Sequence, residues 1–269
     1  MGSQSIKLPL FMCNSIKIYC PRCLCANVKK NGVFNKQNTQ QYKCKACSKK
    51  FFLASSSYFV SDFEKDLIKS LLLERLSLRG ICRVLKVSLT WLLAFLKEIW
   101  SDLPDDLNVK LNFVKKLVSG HFYIEMRKCE ADELWSFVQN KACVQYIWLV
   151  QDRETRQIVA YEIGDRSGAT ARKLWDKIPK ELKENGLFYT DDWDSYKTVI
   201  PQGQHLSSKY KKDTNHIERF NGTIRNRCSR LVRKNLAFSK SMENHHAAIK
   251  YFICNYNLWC QKKYQQTAP

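Results

Sequence analysis

Three acidic residues are candidates for chemistry because apolar or basic residues surround them in a strongly basic chain. They are Asp132 in Cys-Glu-Ala-Asp-Glu-Leu-Trp, Asp191 in Leu-Phe-Tyr-Thr-Asp-Asp-Trp, and Glu218 in Asn-His-Ile-Glu-Arg-Phe-Asn-Gly. Two carboxylates on strands and a third on a basic helix suit two-metal phosphoryl transfer, because Mg²⁺ prefers carboxylate oxygen. The pattern predicts an enzyme that cuts or joins nucleic-acid strands.

The residues around the first two acids predict an α/β domain with a mixed sheet. Segments 130–138, 144–151 and 157–163 are rich in β-branched and aromatic residues, and the polar connection 152–156 predicts a hairpin. A helix over 170–184 and a short strand over 187–190 follow. Asp132 then lies in the first strand, and Asp191 lies at the carboxyl end of a later strand, where open α/β sheets place ligands.

Glu218 falls on a helix that is predicted to begin near Thr214. On that helix Glu218, Gly222 and Arg225 share a stripe beside the apolar face, so Arg225 lies two turns after Glu218. Taken singly, each acid has an ordinary alternative as a solvent-facing residue, a cap or a surface ion pair. Their joint placement among basic residues favours the catalytic interpretation.

Two Cys-x-x-Cys pairs near the amino terminus predict one structural zinc ion. Cys20-Pro-Arg-Cys23 and Cys44-Lys-Ala-Cys47 can supply four thiolates to a tetrahedral Zn²⁺, and Asn31-Gly32 between them signals a hairpin turn. Chance spacing and a redox pair are the alternatives. The surrounding lysines favour contact with DNA.

Three helices are predicted next, with Ser61-Asp62, Ser77 and Ser88 at their starts. A short helix, a tight turn near Val87 and a longer helix resemble a helix-turn-helix, in which Thr90 and Trp91 would face the DNA groove. A three-helix bundle that binds nothing is the alternative. Residues 101–108 are polar and break the pattern, which indicates a boundary.

The composition favours a polyanionic partner. Lys+Arg 45 against Asp+Glu 25 gives a formal net charge of +20, and the pI is about 9.5. This excess favours nucleic acid over a membrane surface, since no apolar run reaches the roughly 18 residues of a spanning helix. The chain has 12 cysteines, and most of those outside the two pairs are scattered among apolar residues, as small buried side chains often are. This usage favours a reducing compartment. We predict a cytoplasmic protein without a membrane partner.

The order of these features resembles that of the IS1-family insertion-sequence transposases, over roughly residues 18–258. The matching stretches are Glu130-Ala-Asp132-Glu-Leu-Trp135, Thr190-Asp191-Asp-Trp193 to Tyr196, His216-Ile-Glu218-Arg219 and Leu236-Ala-Phe238-Ser-Lys240-Ser241. The resemblance implies a zinc ribbon over 1–60, a helix-turn-helix over 61–105, a linker over 106–128 and a ribonuclease-H-like catalytic domain over 129–269.

The resemblance also implies roles for individual residues. Asp132, Asp191 and Glu218 would hold two Mg²⁺ (or Mn²⁺) ions, and Arg225 would contact a phosphate near the scissile bond. Asp192 is the alternative second ligand; we choose Asp191 because it directly follows the strand and matches the Thr-Asp-x-Trp frame. Predicted DNA contacts are Lys29, Lys30, Lys45, Thr90, Trp91, Lys211, Lys212, Arg219, Arg225 and Arg227.

The expected reaction is cleavage at the terminal inverted repeats of a mobile element, followed by strand transfer into target DNA. The partner is double-stranded DNA, held by at least a homodimer close to the prokaryotic nucleoid. A structure-specific nuclease, an integrase-like recombinase and a non-catalytic DNA-binding regulator are the competing functions.

Overall fold

The computed structural model describes residues 18–34, 39–53, 60–113, 115–118, 121–191, 193–207, 213–232 and 236–265. The chain forms two compact units, residues 1–60 and residues 61–269. No helix in these described segments is long and apolar enough to cross a membrane.

The first unit is a three-stranded antiparallel sheet that carries both cysteine pairs. Its strands, paired in sequence order, are β1 (Val28–Phe34), β2 (Thr39–Cys44) and β3 (Lys50–Phe52). The rings of Tyr42 and Phe51 stack with centroids 6.0 Å apart. The predicted hairpin between the cysteine pairs is therefore confirmed.

The prediction that Asn31-Gly32 forms the hairpin turn is wrong. Both residues lie inside β1, where the register with β2 shifts between Lys30 and Val33. Gly32 has a φ of +80°, which glycine adopts without steric cost, and this produces a bulge within the strand. The side chains of Asn31 and Gln41 hydrogen-bond across the bulge at 2.6 Å, which holds the two strands together there.

The second unit begins with three helices whose predicted caps are confirmed. They are α1 (Asp62–Leu71), α2 (Leu78–Leu85) and α3 (Leu89–Ser101). The Ser61 hydroxyl accepts from the Glu64 backbone N–H while the Glu64 carboxylate accepts from the Ser61 backbone N–H, which is a capping box. Ser77 and Ser88 cap α2 and α3 in the simpler way.

The helices belong to the same compact unit as the larger sheet. The Tyr251 hydroxyl donates to the Lys69 carbonyl oxygen at 2.8 Å, and the Arg227 guanidinium donates to Glu74 at 2.6 Å. Along the chain, a hairpin of β4 (Lys115–Val118) and β5 (His121–Ile124) follows the three helices and precedes the main sheet. It lies in the segment that was predicted to be a linker.

A five-stranded mixed sheet forms the centre of the second unit, which confirms the α/β prediction and fits a ribonuclease-H-like domain. The strand order is β10-β9-β6-β7-β8, with β6, β7 and β8 antiparallel, and with β9 parallel to both β6 and β10. Sequence reasoning missed the three-residue strand β10. The strands are β6 (Arg127–Phe137), β7 (Val144–Asp152), β8 (Ile158–Gly164), β9 (Gly186–Thr190) and β10 (His205–Ser207).

Helices cover both faces of this sheet and enclose two apolar cores. Leu174 and Leu182 pack against one face, whereas Phe220 and Phe252 pack against the other. On the first face lie α4 (Gly168–Lys177), α5 (Lys180–Asn185) and α6 (Asp194–Lys197). On the second face lie α7 (Asn215–Arg227) and α8 (Met242–Gln265).

The single helix predicted over 170–184 is instead two helices. Pro179 separates α4 from α5, and Ile178 before it is extended, with a ψ of 134°. Proline has no N–H to donate and disfavours helical backbone in the preceding residue, so the helix ends there. The apolar periodicity continued through the break because Ile178 and Leu182 both pack on the same core.

A buried histidine fastens α8 to the central strand β6. The ring of His245 lies 3.0 Å from the Ser136 hydroxyl through Nε2 and 3.0 Å from the Ser239 hydroxyl through Nδ1. Ser136 donates its own proton to the Gln145 carbonyl oxygen, so Nε2 must carry the hydrogen that it shares with Ser136. Burial lowers the pKa of His245 to about 4, so at neutral pH the ring is neutral and its Nδ1 accepts from the Ser239 hydroxyl.

We expect this histidine to make the protein acid-sensitive. The pKa of His245 is lower when folded than its value of 6.5 when unfolded, so stability falls as pH falls from about 6.5 to about 4. The window corresponds to about 3 kcal/mol. Urea unfolding from pH 4 to pH 7 should show a flatter profile for His245→Asn than for the native protein. Parallel profiles would contradict the prediction.

Candidate active site

The central strand β6 presents its acids alternately to the two faces of the sheet. Ala131 packs in the core under α4 and α5, whereas Leu134 packs in the core under α7 and α8. Because side chains alternate along a strand, Asp132 faces the α7 side and Glu133 faces the α4 side. Neighbouring acids in the sequence thereby meet different partners.

Asp132 is largely buried and already oriented by its neighbours. Its Oδ2 accepts from the Asn221 side chain on α7 at 2.7 Å, and its Oδ1 accepts from the Glu133 backbone N–H at 2.8 Å. Burial raises the pKa of Asp132 to about 7, and the charges of Glu133, Asp191 and Glu218 add to the increase. The negative charges converge here, and a bound cation would relieve their repulsion.

Asp191 is brought beside Asp132 by the parallel pairing of β9 with β6. It directly follows β9, is exposed, and accepts from the Trp193 backbone N–H at 3.2 Å. Carboxylate oxygens of Asp132, Glu133 and Asp191 all lie within 4.8 Å of one another, which is a spacing that a divalent cation can bridge. Asp192, the alternative ligand, lies outside the described residues.

Glu133 is a member of this acidic group that sequence reasoning missed. Its side chain is 2% exposed, and its Oε2 accepts from the Arg166 guanidinium at 2.6 Å. Its Oε1 is buried and makes no well-formed hydrogen bond among the described residues, although the Tyr196 hydroxyl is close enough to favour the charged form of the carboxyl. Burial raises the pKa of Glu133, against the effects of Tyr196 and Arg166. The adjacent Asp-Glu pair was its only sequence signal.

Arg166 is itself held in place by aromatic rings. Its guanidinium carbon lies 3.9 Å from the ring centre of Trp193 and 5.3 Å from that of Tyr146. Trp193 follows Asp191 by two residues. The segment after β9 therefore carries the acid Asp191 and also contacts Arg166, the partner of Glu133.

Glu218 approaches the acidic group from α7 but lies outside the 4.8 Å set. It is exposed, and its charge is close enough to raise the pKa of Asp132. Asn221, one turn later on α7, makes the direct contact with Asp132. Arg225 is half-buried two turns after Glu218, on nearly the same side of the helix.

The position of α7 is fixed by a second buried acid on β6. Glu130 is fully buried, and its Oε2 accepts from the backbone N–H groups of His216 at 2.8 Å and Ile217 at 2.9 Å. Its Oε1 lies 2.9 Å from Arg153 Nε. Burial raises the pKa of Glu130, while the two N–H groups and Arg153 favour its charged form. Glu130 therefore anchors the amino terminus of α7, and with it Glu218. Glu130 lies two residues before Asp132 on the same strand.

The four predicted zinc ligands converge in the first unit. The sulfur atoms of Cys20, Cys23, Cys44 and Cys47 lie within 4.8 Å of one another. The Cys20–Cys47 pair is 3.5 Å apart and the Cys23–Cys44 pair is 3.6 Å apart. A tetrahedron with Zn–S bonds of about 2.3 Å has edges of about 3.8 Å, so the cluster fits zinc. Cys25 is not one of the four clustered residues.

Comparison with known proteins places the second unit in a family. A family model described as IS1 transposase matches residues 126–259. The insertion element iso-IS1n protein InsB of Shigella dysenteriae is 40% identical over 126 residues, which are 46% of this chain and 92% of that protein. The chain belongs to the IS1 transposase family.

Other members of the IS1 transposase family are also similar. The insertion element IS1 protein InsB of Shigella flexneri is 34% identical over 124 residues, 46% of this chain and 92% of that protein. The insertion element IS1 4 protein InsB of Escherichia coli (strain K12) is 33% identical over 125 residues, 46% of this chain and 72% of that protein. The matched family segment contains all three predicted catalytic acids.

The residues predicted to contact DNA lie in several places on this IS1-family chain. Lys29, Lys30 and Lys45 are exposed in the first unit, and Thr90 is exposed at the start of α3. Trp91 stacks on Phe95 with ring centres 5.2 Å apart. Arg219 is exposed, whereas Arg227 pairs with Glu74. Lys211 and Lys212 lie outside the described residues. Binding of DNA by α2 and α3 stays a prediction.

We expect Glu130→Ala to destabilise the second unit by about 3 kcal/mol, because it leaves Arg153 and two helix N–H groups without their buried acceptor. Glu130→Gln should cost less, since the amide oxygen still accepts from the helix. Urea unfolding of both variants gives the comparison. Equal losses would show that the charge, rather than the accepting oxygen, fixes α7.

We expect one zinc ion per chain, bound by the cysteine cluster. Elemental analysis of protein purified without added metal should find it, and Cys44→Ser should lose it. Cys143→Ser, at an exposed cysteine outside the cluster, is the matched control and should retain zinc. Metal loss should expose residues 1–60 to limited proteolysis, because so small a sheet has little apolar core. A zinc-free native protein would contradict the prediction.

Proposed function

We propose that this chain is a DNA transposase that cleaves the terminal inverted repeats of an IS1-type element and transfers the strand into target DNA. The observation that carries the proposal is the convergence of Asp132, Glu133 and Asp191 at the junction of β6 and β9, within a family-matched segment. Glu218 on the anchored helix α7 supplies the remaining carboxylate.

The acidic site is suited to holding divalent cations rather than to covalent catalysis. Asp132, Asp191 and Glu218 would hold two Mg²⁺ or Mn²⁺ ions, with the buried oxygen of Glu133 available as a further ligand. Divalent ions bound there would neutralise the phosphate and lower the pKa of the attacking water or hydroxyl. The cluster has no activated nucleophile of the serine or cysteine type within its described residues.

The remaining side chains would hold this arrangement in place. Asn221 donates to one oxygen of Asp132, and the Glu133 backbone N–H donates to the other. Arg166 donates to one oxygen of Glu133, whose second oxygen is buried. Arg225 would bind a phosphate beside the scissile bond, where a guanidinium can donate two parallel hydrogen bonds. Water attacks first and frees a 3′-hydroxyl, which then attacks the target phosphodiester in line.

The other parts of the chain would supply DNA binding and assembly. The cysteine-rich sheet, with its exposed lysines, and α3 would recognise the terminal repeats. Two ends must be held together for strand transfer, so we propose at least a homodimer on DNA.

The test is cleavage of a duplex that carries the repeats flanking the gene. Asp132→Asn, Asp191→Asn and Glu218→Gln should each lower Mg²⁺-dependent cleavage by at least about 100-fold, because loss of a ligand removes charge stabilisation of the transition state. Binding of the same duplex in EDTA, measured by gel shift, should survive. Asp194→Asn is the matched control, since Asp194 is exposed and pairs only locally with Lys197.

Joining of the cleaved 3′ end to a second duplex separates the proposed function from its rivals. A structure-specific nuclease would hydrolyse the substrate without joining it, and a DNA-binding regulator would do neither. Normal cleavage by all three acid variants would refute the assignment of the catalytic residues.

A further inference from the structure

A basic and aromatic pocket lies between α7, α8 and the turn that joins β7 to β8. Its volume is about 150 Å³. Arg219 and Thr223 line it from α7, while Trp259 and Lys263 line it from α8 and Arg156 lines it from the turn. Arg219 and Thr223 share one flank of α7, whereas Glu218 and Asn221 lie on the opposite flank, which faces the acidic site.

The charge of this pocket is one-sided. Four of its lining residues are arginine or lysine, and none is acidic. Within the described part of the chain, no carboxylate lies within ion-pair distance of Arg156, Arg219 or Lys263, although the charge of Arg156 favours the ionised form of the buried Glu130. Arg227 at the rim pairs with Glu74. Arg156 Nη1 is buried and has no hydrogen-bond partner there. An unpaired buried guanidinium N–H is costly, so the pocket favours an anion that accepts from it.

The aromatic side of the pocket is formed by consecutive turns of α8. Trp259 is 49% exposed. The centre of its ring lies 5.8 Å from that of Tyr256 and 4.9 Å from Lys263 Nζ. Tyr256 and Tyr264 also line the pocket. A half-exposed indole among cations is the combination with which proteins stack nucleic-acid bases beside a bound backbone.

The size of the pocket restricts its occupant. About 150 Å³ is below the usual range for small-molecule sites, so the pocket encloses only part of one nucleotide, and the half-exposed Trp259 at its edge is left for the base. Gln151 is 99% buried in its wall beside Tyr256, and its Oε1 has no well-formed hydrogen bond within the described residues, so it offers an acceptor to a base edge.

We propose that this pocket binds one unpaired nucleotide of a DNA strand, with its phosphate on Arg156, Arg219 and Lys263 and its base against Trp259. The inference rests on the proposed DNA-cleaving function, since it gives an unpaired nucleotide of the bound DNA a place on the flank of α7 opposite the acidic site. It goes beyond that function because it predicts a preference for single-stranded DNA in the second unit.

The test uses the full chain in EDTA, so that cleavage plays no part. The probes are fluorescein-labelled oligothymidylate of 12 nucleotides and the same oligonucleotide with abasic residues, measured by fluorescence anisotropy. Trp259→Ala should weaken binding of the first probe by at least about fivefold, because stacking contributes roughly 1–3 kcal/mol per base. The same variant should have little effect on the abasic probe.

Neighbouring residues on α8 provide matched controls. Leu258→Ala removes an apolar side chain of similar exposure that does not line the pocket, and Lys262→Gln removes a charge one residue before Lys263. Lys263→Gln should weaken the binding of both probes and reduce the slope of log K against log salt concentration by about 0.7. Leu258→Ala should bind the first probe more tightly than Trp259→Ala, and Lys262→Gln should bind both probes more tightly than Lys263→Gln. Thermal unfolding of all four variants checks that the fold is retained.

A photocross-link locates the base directly. One 5-iododeoxyuridine in the oligonucleotide should cross-link to Trp259 or Tyr264 after irradiation, as mapped by mass spectrometry. If Trp259→Ala and Lys263→Gln bind like their controls and no cross-link falls on α8, the proposal is overturned. Because no divalent ion is present, loss of cleavage in the acid variants leaves this result unchanged, and the two proposals fail independently.

Discussion

The carboxylate of Glu130 connects the central strand to the helix α7, and the geometry of the acidic site depends on that connection. Glu130 and Asp132 lie two residues apart on one face of β6, so the strand that carries the central acid also accepts the first N–H groups of the helix. Those N–H groups have no partner within the helix, and the positive end of its dipole favours a negative charge. Glu218 directly follows Ile217, whose N–H donates to Glu130. The position of Glu218 relative to Asp132 therefore depends on this contact.

The rest of the second unit supports this junction. β6 lies in the middle of the sheet, with β7 paired along Cys129–Phe137 on one side and β9 paired with Arg127–Glu130 on the other. At its start, Arg127 forms a two-bond ion pair with Asp152 at the end of β7. Near its end, Ser136 contacts His245 of α8. The strand is thus fixed at both ends and at its middle, and close-packed interiors allow little displacement of such an element. Catalytic groups need rigid support of this kind.

Electrostatics and packing have opposite requirements at this site. Bringing Asp132, Glu133 and Asp191 together without a cation is unfavourable, and burial increases the cost. The structure limits the cost by giving one oxygen of each inner acid a donor, from Asn221 or from Arg166. The net charge of +20 acts over a longer range and draws the chain toward a polyanion. The local acidic site and the basic remainder are complementary, since a divalent ion held by the carboxylates would supply the positive charge that a bound phosphate needs there.

Sequence alone determined the features that depend on local pattern. The helix caps at Ser61, Ser77 and Ser88, the three long strands of the sheet and the four-cysteine cluster follow from residue type and spacing over short distances. It failed where tertiary contacts decide. Asn31-Gly32 became a bulge because pairing with β2 continues past it, and the role of Glu130 was invisible because its partners are 86 and 87 residues away. The convergence of Asp132, Glu133 and Asp191 likewise required the parallel pairing of β6 with β9. Residue types set the available chemistry, but only the folded chain brings distant carboxylates and N–H groups within a few ångströms.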